Sequence, residues 1–188
     1  MLNSRARYGR ISLFGACSSI ARRPRMAASS CSAWRKRRLR VASVRVLVVD
    51  DFEPFRRFIC ATLKKMQNLH VICEVSDGLK AVQKAQELKP DLILLDIGLP
   101  TLNGIAAARQ IRKLSPESKI VFVSQESDAD IAQEAFSLGA EGYIVKTSAA
   151  SDLLAAVETI YEGRQFISSA VLGLHLTAVP AVVATKQP

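Results

Sequence analysis

An acidic pair, Asp50-Asp51, ends the apolar run Val46-Leu47-Val48-Val49, and a single aspartate, Asp96, ends the run Leu92-Ile93-Leu94-Leu95. Short runs rich in Val, Ile and Leu suit strands buried on both faces of a parallel sheet. Such sheets bind ligands in the crevice at the carboxyl ends of their strands, so three carboxylates are expected to converge on one edge. Their mutual repulsion requires a cation, and hard oxygen ligands select Mg²⁺ or Mn²⁺. A third run, Ile120-Val121-Phe122-Val123, ends in the hydroxyl of Ser124, and a fourth, Gly142-Tyr143-Ile144-Val145, ends in the ammonium of Lys146. Together these groups can move a phosphoryl group onto an aspartate. Asp96 is the expected nucleophile, with the metal and Lys146 neutralising the phosphoryl oxygens.

Helical segments alternate with these strands. Phe55, Phe58, Ile59, Thr62 and Leu63 repeat at helical spacing and predict a helix over residues 53–66, with Pro54 in its first turn. Residues 70–76 read as a strand and residues 78–88 as a helix, stopped by Lys89-Pro90. A helix over 104–114 stops at Ser115-Pro116, and one over 128–138 closes on Gly139. The last helix is expected to start at a Ser151 cap and to run to Glu162, before Gly163. Alternating β and α elements with short loops predict an α/β fold. It is a flavodoxin-like (βα)5 doubly wound parallel sheet of order 2-1-3-4-5. Its switch point lies between the strands that end in Asp51 and Asp96.

Residues 44–168 resemble the receiver domain of bacterial two-component response regulators. The resemblance rests on Val48-Val49-Asp50-Asp51, on Asp96-Ile97-Gly98-Leu99-Pro100-Thr101-Leu102-Asn103-Gly104, on Ser124, on Gly139-Ala140 and on Gly142-Tyr143-Ile144-Val145-Lys146. It implies that Asp96 takes a phosphoryl group from a sensor histidine kinase or a phosphotransfer protein. Asp50, Asp51, Asp96 and the backbone carbonyl of Gly98 would hold Mg²⁺. Lys146 would pair with Asp96 and then with the phosphoryl group, Ser124 would move toward a phosphoryl oxygen, and Tyr143 would turn inward. A homodimer through the fourth helix, fifth strand and fifth helix is a further expectation, as is a cytoplasmic location. No turnover enzyme is expected beyond self-phosphorylation and loss of the phosphoryl group. Thr147 follows Lys146 where most receivers carry a cis-proline, as in the subfamily with LuxR/NarL-type helix-turn-helix outputs. A cis bond without proline would cost about 2.5–4 kcal/mol, so a differently built loop is expected there. Glu126, two residues past Ser124, occupies a position that tunes phosphoryl lifetime in the family.

Other classes fit less well. A phosphatase working through an aspartyl phosphate would want a second aspartate two residues past the nucleophile, and Gly98 stands there. The formal net charge of +9 comes entirely from the leader: twelve of the 26 Lys and Arg lie in residues 1–45, which contain no acid. The remaining fourteen face all seventeen acids, a net of −3. Residues 1–43, with Arg22-Arg23-Pro24-Arg25 and Trp34-Arg35-Lys36-Arg37-Arg38-Leu39-Arg40, read as a basic disordered leader or a start-site artefact. As a translated segment it would be the route to any nucleic-acid binding. Its Ile11–Ile20 stretch is too weakly apolar for a signal sequence. No uninterrupted run reaches the roughly 18–20 apolar residues of a membrane span. Cys17 and Cys31 fall in the leader, Cys60 and Cys73 read as core thiols, and neither His70 nor His175 has a partner pattern. The twenty residues after Ser168 form a tail, 169–188, too short for a helix-turn-helix. The chain therefore reads as a single-domain receiver or as part of a DNA-binding transcriptional regulator whose output domain is missing.

Overall fold

A computed structural model describes residues 43–171. Strands β1 (Val44–Val49), β3 (Leu92–Leu95), β4 (Lys119–Ser124) and β5 (Gly142–Val145) are the apolar runs noted above. Apart from Arg45 and Lys119, every residue in them is buried. β2 (Leu69–Val75) lies at one edge and is only partly covered. A two-residue strand, β6 (Phe166–Ile167), lies at the other. The sheet is parallel throughout, in the order β2-β1-β3-β4-β5-β6. The flavodoxin-like order is as expected, and β6 extends it.

Alternate strand residues feed two cores, because successive side chains point to opposite faces. On one face Val46, Val48, Leu94, Val123 and Ile144 pack with Ile59 and Leu63 of α1 (Glu53–Leu63) and with Leu153, Val157 and Ile160 of α5 (Ala149–Tyr161). On the other, Leu47, Val49, Ile93, Leu95 and Phe122 meet α2 (Gly78–Leu88), α3 (Gly104–Leu114) and α4 (Ala129–Ser137). These three helices contribute mainly alanines, including Ala81, Ala85, Ala107, Ala132 and Ala135. Their small side chains let the helices lie close to large strand residues. Asp77, Asn103 and Asp128 cap α2, α3 and α4 by accepting backbone N–H groups.

Several boundaries differ from expectation. α1 ends at Leu63 rather than Met66, because Lys65 and Met66 bond three residues back, to Thr62 and Leu63, and tighten the chain into turns. Ser151 is not the cap of α5. A 3₁₀ turn over Lys146–Ser148 leads directly into the helix, and the Ser151 hydroxyl donates to the Ser148 carbonyl at 2.9 Å. That continuous entry leaves no extended residue to act as a cap. No cis peptide occurs among the described residues, so the loop after Lys146 is the 3₁₀ turn. β6 is held by Phe166 N–H to Glu141 O at 3.0 Å and Ser168 N–H to Tyr143 O at 2.9 Å. Past it, Val171 is still buried in the α2–α4 core. Cys60 and Cys73 are free thiols. The leader through residue 42 and the tail from residue 172 lie outside the described residues, with Cys17, Cys31 and His175. Among the described residues no helix is long and apolar enough to cross a membrane.

Candidate functional site

Strand register brings the acidic groups together. Val49 pairs with Leu95 and accepts the Asp96 N–H at 2.9 Å, so Asp50 and Asp96 leave adjacent strands at one level. Asp50 is fully buried, Asp96 nearly so, and Asp51 is exposed. One carboxylate oxygen from each lies within 4.8 Å of the other two. On the neighbouring strands Ser124 pairs with Val145, which places Lys146 one residue beyond.

Lys146 Nζ lies 2.8 Å from Asp50 Oδ2 and 2.8 Å from Asp96 Oδ2. It donates a hydrogen bond to Asp96. Its approach to Asp50 Oδ2 is an equally close ion pair, and that buried oxygen has no other polar contact among the described residues. Burial pushes the Asp50 carboxyl above its ordinary range, against the pull of Lys146. Burial also works against the Lys146 charge, but the two carboxylates outweigh it and hold the ammonium above its usual value. A buried carboxylate oxygen held by a single ammonium, beside two further carboxylates, is the environment a hard cation fits.

The two loops that carry the acids are fixed differently. Asp50 Oδ1 accepts the Phe52 N–H at 2.9 Å, which turns the chain into α1. From α1, Arg56 Nη1 donates to the Asp50 carbonyl at 2.8 Å, and its Nε lies 3.7 Å from Glu74 on β2. On the Asp96 side, Asp96 Oδ1 accepts the Gly98 N–H at 3.2 Å, and Gly104 N–H returns to Ile97 O at 2.9 Å. A Cβ on Gly104 would sit 2.0 Å from the Asp96 carbonyl oxygen, so only glycine lets α3 start this close to the strand end. Thr101, in the same loop, has φ +67, an unusual conformation for a β-branched residue. A cleft of about 280 Å³ opens over Asp51, Asp96, Gly98, Ser124, Glu126 and Lys146.

Ser124 and Tyr143 both bond to one residue, Glu126, through its two flanking peptides. Ser124 Oγ accepts the Glu126 N–H at 3.1 Å, and the Tyr143 hydroxyl donates to the Glu126 carbonyl at 2.9 Å. Tyr143 is fully buried, and burial raises its phenol above the ordinary value. It therefore already points inward, with Lys146 still paired to Asp96.

Residues 46–158 match the response regulator receiver domain. The chain belongs to this family. It is similar to the response regulator protein VraR of Staphylococcus epidermidis, at 36% identity over 130 residues, 69% of this chain and 62% of that protein. The transcriptional regulatory protein LiaR of Bacillus subtilis is 35% identical over 134 residues, 71% of this chain and 64% of that protein. A LuxR-family two-component response regulator from Aurantimonas sp. SI85-9A1 superposes with a TM-score of 0.66 at 29% identity. That match covers 69% of this chain and 93% of the other. The chain thus spans somewhat less than two thirds of the length of these curated relatives.

The receiver fold gathers Asp50, Asp51, Asp96, Gly98, Ser124 and Lys146 at one sheet edge, with Tyr143 behind Ser124. Sequence reasoning missed Arg56, which staples the Asp50 loop, and the central place of the Glu126 backbone. Neither carries a spacing signal, since both act through backbone groups that only the folded chain brings near.

Proposed function

We propose that this receiver is the phosphoacceptor of a two-component phosphorelay, with Asp96 as the accepting residue. The observation that carries this reading is the Asp96 carboxylate itself. It is held by Lys146 at 2.8 Å on one oxygen and by the Gly98 N–H at 3.2 Å on the other, at the edge of an open cleft. In the transfer an Asp96 oxygen attacks the phosphorus of a histidyl phosphate. The P–O bond forms, the P–N bond breaks, and the departing imidazole takes up a proton. Asp50, Asp51, Asp96 and the Gly98 carbonyl would hold Mg²⁺ or Mn²⁺, which neutralises charge on the carboxylates and on the incoming phosphoryl oxygens. Lys146 supplies a second positive group at the same place.

Signalling follows from the hydrogen bonds at Glu126. To reach a phosphoryl oxygen, Ser124 gives up the Glu126 N–H, while the Tyr143 hydroxyl keeps hold of the Glu126 carbonyl in the next peptide. The β4–α4 loop then rearranges on its Gln125–Glu126 side, pivoting about the carbonyl that the stationary Tyr143 holds. The face built by α4, β5 and α5 changes with it and offers a surface to a second copy. The kinase or phosphotransfer protein approaches the cleft, and the setting is the cytoplasm. Residues 44–168 form the receiver, residues 1–43 a basic leader and residues 169–188 a tail.

The acyl phosphate is directly testable. Label transferred from a phosphohistidine donor should be released by neutral hydroxylamine and lost when Mg²⁺ is chelated during transfer. Label that resists hydroxylamine would place the phosphoryl group on another residue type and overturn the reading.

A further inference from the structure

Lys146 has three N–H groups. Two carboxylate oxygens, each 2.8 Å away, account for two sides of the ammonium. The side chain is only 10% exposed, and among the described residues it has no other polar partner. The remaining side faces an aromatic ring: Nζ lies over Phe55, 5.0 Å from the ring centroid. We propose that Phe55 is a positioning residue for Lys146, roofing the side of the ammonium that the carboxylates leave open and so aiming it at Asp96 and its phosphoryl group. This rests on the phosphoacceptor reading above.

The ring is itself well fixed. Phe55 stands in the first turn of α1, its N–H bonded to the Phe52 carbonyl at 3.1 Å. Pro54 precedes it and restricts the turn. Phe58 braces it, with centroids 5.6 Å apart and planes inclined by 32°. The turn is tied to the site by the Asp50 side chain, which accepts the Phe52 N–H, and by Arg56, which donates to the Asp50 carbonyl. The residues that set the acidic pair therefore also set the ring.

The choice of a ring has a chemical consequence. Lysine carries its charge on a long flexible stem, and an unguarded N–H would bind water and let the amine swing outward. A ring face attracts the cation through its quadrupole and excludes water. Unlike an oxygen acceptor it is not directional along one N–H. When negative charge is added at Asp96, the amine can slide from between Asp50 and Asp96 onto a phosphoryl oxygen while staying under the ring. A fixed acceptor in Phe55's place would hold it back.

Beryllofluoride in the presence of Mg²⁺ serves as the probe, because it mimics the phosphoryl group on the acceptor. The full chain and its Phe55→Leu, Phe55→Tyr and Lys146→Met variants are titrated, with the Phe55→Leu/Lys146→Met pair. Phe55→Leu keeps apolar bulk but loses the ring face. It should weaken beryllofluoride binding about 3- to 30-fold, the range a cation–π contact commands as it becomes desolvated. Phe55→Tyr should restore it, and adding Phe55→Leu to Lys146→Met should cost nothing more. Mg²⁺ affinity should not fall in Phe55→Leu, since none of its ligands is touched. Unchanged beryllofluoride binding in Phe55→Leu, or an equal loss in the Lys146→Met background, would overturn the proposal. So would a parallel loss of Mg²⁺ affinity, which would mark general damage to α1. If the unaltered chain binds no beryllofluoride, the phosphoacceptor reading fails and this inference falls with it. A second measurement needs no variant. The Lys146 ε-methylene protons should be shifted upfield by the ring current of Phe55, and ordinary lysine shifts there would also overturn the proposal.

Discussion

The two ends of the sheet both bury charge, and they handle it in opposite ways. At the amino ends of the strands, the Arg112 guanidinium donates to Ser118 O at 2.9 Å, to Glu141 at 2.7 Å and to the Gly139 carbonyl. Glu141 in turn accepts the Ile120 N–H at 2.7 Å, and the Ser118 hydroxyl donates to Pro90 O at 2.5 Å. One cation meets one anion and backbone carbonyls take further N–H groups, while Arg112 Nε is buried without a partner among the described residues. At the carboxyl ends, three carboxylates face one lysine, which lies 2.8 Å from both Asp50 and Asp96. The first end is finished as a structural clamp, with α3, β4 and β5 tied together. The second carries an excess of two negative charges, which a divalent cation would neutralise. The ends differ in charge balance and also in burial, since the Arg112–Glu141 pair is partly exposed where Lys146, Asp50 and Asp96 are nearly covered.

The sharpest way to break the functional end without touching a charge is Gly104→Ala. Its new Cβ would fall 2.0 Å from the Asp96 carbonyl oxygen, a backbone atom that cannot move aside. A loss of about 3 kcal/mol or more is expected in denaturant unfolding, at the upper end for overpacking. A change below about 1 kcal/mol would mean that the start of α3 yields easily. Next in size is Arg112→Met at the balanced end. It should cost about 2 kcal/mol, because Glu141 and two carbonyls lose their donor, though the pair's partial exposure to solvent tempers the loss. Phosphoryl uptake should be unaffected, and a large change in uptake would show that the two ends are coupled.

How much of this was legible in the sequence follows the same division. The site was readable because each of its groups stands at the end of a strand whose own apolar run announces it. Local order therefore placed Asp50, Asp96, Ser124 and Lys146 with no long-range information. The Arg112–Glu141 clamp was not readable, since its partners lie 29 residues apart and neither has a distinctive neighbour. β6 escaped because two residues, Phe166 and Ile167, show no alternation and form a strand only by pairing with β5. The start of α5 was misplaced because Ser151 looks like a cap, while the 3₁₀ turn before it leaves no position for one. Phe55 was seen only as a core residue of α1. Its place over Lys146 depends on a contact across 91 positions of sequence.

Asp50→Asn sharpens the comparison in the other direction. Removing one charge from the unbalanced end should stabilise the metal-free fold by roughly 1 kcal/mol, a typical single-site magnitude. Mg²⁺ at 100 times its Kd should add about 2.7 kcal/mol to the unaltered chain and far less to the variant. Thermal unfolding with and without Mg²⁺ reads both effects, and a metal-free variant less stable than the parent would contradict the excess-charge account. The smallest expected effect lies away from either end. Burial, aided by Glu74, pushes the Cys60 thiol from 9.0 up to about 11. The folded state then holds this proton more tightly than the unfolded chain. Its contribution is complete below pH 9 and is lost as pH rises through about 11. Cys60→Ala should flatten that part of the stability profile, and an unchanged slope would remove Cys60 as its cause.

The most direct measurement is intact-mass spectrometry of the chain and its Asp96→Asn variant, each incubated with acetyl phosphate with and without Mg²⁺. The account predicts one added phosphoryl group on the parent, dependent on Mg²⁺, and none on the variant. An adduct that persists in Asp96→Asn, or forms equally well without a divalent ion, would contradict it.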